Sequence, residues 1–134
     1  MRRDWDLIRW ILNEVETSGA GYPSLLIGPY QYNGQYYALE IGDRCFEEVY
    51  EHILLLGDQN LAEVRNLGRT NEGPIGVAID RITMSGHDFL ETARDENRWN
   101  NAMKTVREKG GGAVTIGVLT KILSSLLNQS LGIS

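Results

Sequence analysis

The period of the hydrophobic pattern changes twice between residues 43 and 109, and the order of those changes limits the folds open to this chain. Over residues 43–59, Phe46, Val49, Tyr50, Ile53 and Leu56 recur at helical spacing, while Glu47, Glu48, Glu51 and His52 are directed away from that stripe. Residues 61–83 alternate instead. The alternation runs through Leu61–Arg65 and again through Gly76–Thr83, where Val77, Ile79 and Arg81 are expected on one face. The connection over residues 68–74 is a loop by composition. Helical spacing returns over 85–109, with Ser85 and Asp88 as an approximate capping box and Phe89, Leu90, Ala93 and Trp99 toward the core. A bend is expected near Asp95, and Gly110, Gly111 and Gly112 end the segment.

The flanks add three elements. Residues 4–17 read as a helix, with Trp5, Ile8, Ile11, Leu12 and Val15 on one face and Asp4 as a cap. Trp10 falls about 160–200° from the centre of that face at ~100° per residue and is expected to point outward. Residues 25–41 read as a β-hairpin turning at Asn33 and Gly34, two residues that accept positive φ. Tyr22, Tyr30, Tyr32, Tyr36 and Tyr37 cluster around it. Residues 115–131 read as a last helix whose apolar face (Ile116, Leu119, Ile122, Leu123, Leu126, Leu127) either packs within the domain or pairs with a second copy as a homodimer. The whole is an α+β chain, a single domain over 1–134. The expected architecture is a winged helix-turn-helix with an N-terminal β-hairpin and an additional C-terminal helix. Residues 43–59 would be the recognition-type helix and residues 61–83 the wing.

Composition narrows the function classes. The chain has 134 residues and a single cysteine, Cys45, so an internal disulfide and a cysteine-rich zinc site are excluded. No segment approaches the ~20 apolar residues of a membrane span, and no long apolar run follows the first residues, so neither a membrane association nor a signal peptide is expected. A cytoplasmic, reducing setting fits. The net charge of −5 is uneven. Residues 1–60 carry 4 basic and 10 acidic side chains, whereas residues 94–134 carry 6 and 3. The protein as a whole does not suit a polyanion, although its C-terminal third admits a local nucleic-acid contact.

Three blocks of sequence carry a family resemblance. They are Asp4-Trp-Asp-Leu-Ile-Arg9 followed by Ile11 and Leu12, then Ile82-Thr-x-x-Gly-His-Asp-Phe-Leu90, then Ala93-Arg-Asp-Glu-x-x-Trp99. Together they resemble the bacterial and phage family known as domain of unknown function 2513, over most of the chain. Met84 stands where the family pattern has an aromatic residue, and Trp10 where it has a basic one. The segment Leu55-Leu56-Gly57-Asp58-Gln59-Asn60-Leu61 is also similar to the helix end of winged-helix proteins, with Asn60 in place of the usual glycine as a left-handed cap. The resemblance brings no enzymatic activity. What it implies is DNA or protein contact, with mobile elements as a frequent setting.

The sequence contains no HExxH, CxxC, GxSxG or P-loop pattern, so no catalytic residue, metal ligand or cofactor is expected. His87 and Asp88 look like half of a catalytic pair but fall in a first helical turn. Two binding surfaces can be drawn instead. A protein partner with a basic surface would meet Glu47, Glu48 and Glu51, with Trp10, Tyr32 and Tyr36 as anchors. Double-stranded DNA, the alternative for a dimeric regulator, would meet Arg44, Arg65, Arg69, Arg94 and Arg98. The acids on 43–59 weigh against DNA, because each one facing a phosphate opposes the counterion release that drives such binding.

Overall fold

A computed structural model describes residues 3–17, 25–27, 46–71, 73–110 and 114–132. The chain divides into two compact units, Arg3–Gly86 and His87–Ser134. Among the described residues the secondary structure is mixed: five helices, a three-stranded sheet and a two-stranded one. The hairpin turn expected at Asn33 and Gly34, and with it Tyr32, Tyr36 and Arg44, lies outside the described residues.

In the first unit, helix α1 (Trp5–Thr17) starts where Asp4 Oδ1 accepts from the Leu7 amide at 3.1 Å. Its whole apolar stripe is buried, and Leu7 joins it. Full burial of one such side chain stabilises by ~1.5–3 kcal/mol, so α1 is held chiefly by packing. Trp10 is half-buried. Strand β1 (Leu25–Ile27) pairs antiparallel with β5 (Val77–Ile82), which pairs antiparallel with β2 (Ala62–Asn66), giving the order β1-β5-β2. Helix α2 (Phe46–Asp58) packs on α1, β2 and β5. Ile11, Leu12, Val49, Ile53, Leu56 and Ile79 lie at the centre of this core, and Phe46 at its half-exposed margin. The stretch expected as a plain loop over 68–74 instead carries a two-residue ladder, β3 (Arg69–Thr70) with β4 (Gly73–Pro74). Backbone bonds Leu67 N to Gly76 O and Ile75 N to Gly68 O extend the β2–β5 hairpin toward it.

Two orientations differ from the sequence expectation. His52 is fully buried rather than outward. The Asp4 amide donates to His52 Nε2 at 2.9 Å. An amide can only donate, so Nε2 accepts, and Nδ1 carries the hydrogen that the Glu48 carbonyl receives at 2.8 Å. This neutral imidazole therefore ties the start of α1 to α2. The second difference is on β5. Glu63 pairs with Arg81 but Val64 pairs with Ile79, so Asp80 is the extra residue of a β-bulge. The bulge shifts the phase of alternation. Arg81, expected beside Ile79, is exposed and ion-paired to Glu63 at 2.8 Å, while Asp80 and Ile82 are buried.

The expected helix over 85–109 is two helices, α3 (Met84–Ala93) and α4 (Glu96–Glu108). Asp95 accounts for the break, since its extended backbone and its Oδ1, accepting from the Arg98 amide at 2.8 Å, begin a new helix. Nor does Ser85 cap α3. Thr83 does, its Oγ1 accepting from the Gly86 amide at 3.1 Å. In the second unit α4 packs on α5 (Ile116–Ser130), which Thr115 caps through the Val118 amide at 3.2 Å. Trp99, Leu119 and Leu123 are fully buried there, and Phe89 meets Trp99 edge-on with centroids 6.4 Å apart.

Candidate interaction surface on helix α2

Helical spacing places Glu47 and Glu51 one turn apart on α2, with Tyr50 between them in sequence. The short β3–β4 ladder places Arg69 against both. Its Nη2 donates to Glu47 Oε1 at 2.9 Å and its Nη1 to Glu51 Oε1 at 3.4 Å. Its Cζ lies 5.9 Å from the centroid of the Tyr50 ring, within cation–π range. The hydrogen bond it donates to Glu47 holds the Arg69 guanidinium above its ordinary pKa, and the charge of Glu51 adds to the effect. The group is open to solvent: the side chains of Glu47, Glu51 and Arg69 are 57%, 38% and 48% exposed. Tyr50 beneath is buried.

Asn66 organises this surface. Its Oδ1 accepts from Tyr50 Oη at 2.8 Å and from the Gly68 amide at 2.9 Å. One side chain thereby fixes the aromatic ring and closes the turn that delivers Arg69. Gly68 sits at φ +108°, a conformation that favours glycine. Neither Asn66 nor Tyr50 stood out in the sequence as part of a site. Tyr50 read as a core residue, and only the polar Asn66 just before a Gly-rich turn could have signalled a local side-chain bond.

Arg65, on the same hairpin, has a different environment. It grips Asp80 with three bonds, Nε to Oδ1 at 3.0 Å, Nε to Oδ2 at 2.9 Å and Nη2 to Oδ1 at 2.9 Å. Asp80 is buried, so this is a forked, charge-assisted pair in which one partner is withdrawn from water. Both hairpin arginines named as phosphate contacts are thus engaged by carboxylates.

The remaining sequence-derived candidates are dispersed. Glu48 is half-buried on α2. In the second unit Arg94 pairs with Glu91 at 3.0 Å, and Arg98 donates from Nη1 to the Thr92 carbonyl at 3.1 Å, near the end of α3. A polar groove of about 420 Å³ there is lined by Asp95, Asn97, Arg98, Asn101, Leu126 and Gln129. Among the described residues no cluster of three or more His, Cys, Asp or Glu could hold a metal ion, and no helix is long and apolar enough to cross a membrane.

A family model described as a hypothetical protein, DUF2513, matches residues 2–112. An uncharacterized protein of Haemophilus influenzae is 27% identical over 131 residues, covering 98% of this chain and 99% of that protein. No solved structure matches.

Proposed function

The chain belongs to the hypothetical-protein family DUF2513, and on that premise we propose that it is a non-enzymatic winged-helix module acting through protein contacts in the cytoplasm. The antiparallel order β1-β5-β2, with α2 leading through a single tight turn into the β2–β5 hairpin, supports the winged-helix arrangement. In that arrangement α2 holds the place of a recognition helix and the hairpin that of a wing.

The observation that carries the protein-binding reading is the engagement of Arg65 by Asp80 and of Arg69 by Glu47 and Glu51. To meet phosphates, each arginine would have to leave a carboxylate and bring that carboxylate close to the polyanion. Such a contact forfeits the counterion-release gain. Glu47 and Glu51 set two carboxylates against the one Arg69 guanidinium, a balance suited to a basic protein surface. Leu119 and Leu123 of α5 are buried where it packs on α4, whereas Ile116, Ile122, Leu126 and Leu127 are half-exposed, which leaves apolar surface for a homodimer through residues 115–131.

The test is titration of the purified protein with duplex DNA at low and moderate salt, with light scattering for mass. We expect no salt-sensitive DNA binding, and the measured mass decides whether α5 pairs with a second copy. Salt-sensitive binding that disappears in an Arg65→Ala, Arg69→Ala double variant would overturn this reading in favour of a DNA-binding regulator.

A further inference from the structure

We draw no further inference here: the strongest candidate, the half-exposed apolar face of α5 formed by Ile116, Ile122, Leu126 and Leu127, carries nothing because no observation in the structure shows what covers it.

Discussion

The two ends of helix α2 are held by different physics. At its C-terminal end the Leu61 amide donates to Leu56 O at 2.9 Å and the Asn60 amide to Gly57 O at 3.0 Å, with Asn60 at φ +58°, the bond pair of a Schellman cap. The start of α3 then closes on that turn. Thr83 donates from its amide to Leu61 O and from its hydroxyl to Asn60 O, and its hydroxyl accepts from the Gly86 amide. Leu61 and Thr83 are buried, so water does not replace the bond at the Leu61 carbonyl or the one from the Gly86 amide, although Asn60 itself is exposed. At the N-terminal end a single half-exposed arginine bridges two exposed glutamates. The first end is rigid because breaking it strands buried polar groups. The Arg69 contact on the second is adjustable because water can take over the bonds between its exposed groups. The protein-binding surface proposed above lies at the second kind of end.

Gly86 is the tightest point of the C-terminal joint. An alanine in a helix is ordinarily more stable than a glycine by ~1 kcal/mol. Here a Cβ would stand 1.9 Å from the Leu61 carbonyl oxygen and 2.5 Å from Ile82 Cγ2, so the sign should invert. Gly86→Ala is expected to destabilise by about 3 kcal/mol or more, read from urea unfolding. An unchanged midpoint would show that α3 does not press on the Asn60–Leu61 turn. Thr83→Val keeps the shape and removes the hydroxyl, leaving the Asn60 carbonyl and the Gly86 amide without that partner. The expected loss is about 1–3 kcal/mol, and a value near zero would mean that water reaches the joint.

That joint was partly legible in the sequence. Asn60 could be read as a left-handed cap because the requirement is local: a short polar side chain before a leucine at the end of an apolar period. Gly86, His87 and Asp88 stood out as a block, but nothing local shows that Gly86 lacks a side chain in order to admit the Leu61 carbonyl. Ser85 was favoured as the cap because Asp88 follows it at box spacing. Thr83 prevails because its hydroxyl also serves Asn60, 23 residues earlier. The bulge at Asp80 was invisible for a related reason. Alternation along β5 describes one strand, whereas a bulge is a property of its register with β2. The engagement of Arg69 by Glu47 and Glu51 spans 22 and 18 residues and leaves no mark on either segment. His52 read as outward by its place on the helical wheel, yet its partner is the amide of Asp4, 48 residues away. Local demands were readable and pairings across the chain were not, and the candidate site consists almost wholly of such pairings.

The smallest expected effect on stability is at Arg69, and it sharpens the contrast most. If the N-terminal end of α2 is a surface rather than a joint, Arg69→Gln should shift the melting temperature by no more than about 3 °C, and the shift should vanish at high salt, where exposed ion pairs are screened. The Ile75 amide, bonded to the Gly68 carbonyl, should nevertheless exchange with solvent faster, since the ladder beside it loses its tie to α2 while the Arg65–Asp80 pair below stays closed. The amides of Asn60, Leu61 and Gly86 should keep their protection. Global destabilisation comparable to Thr83→Val, or loss of protection that spreads to Leu61, would make Arg69 part of the structural frame. Faster exchange confined to residues around 69–75 at unchanged overall stability is the behaviour of a contact that a partner can take over without unfolding its host.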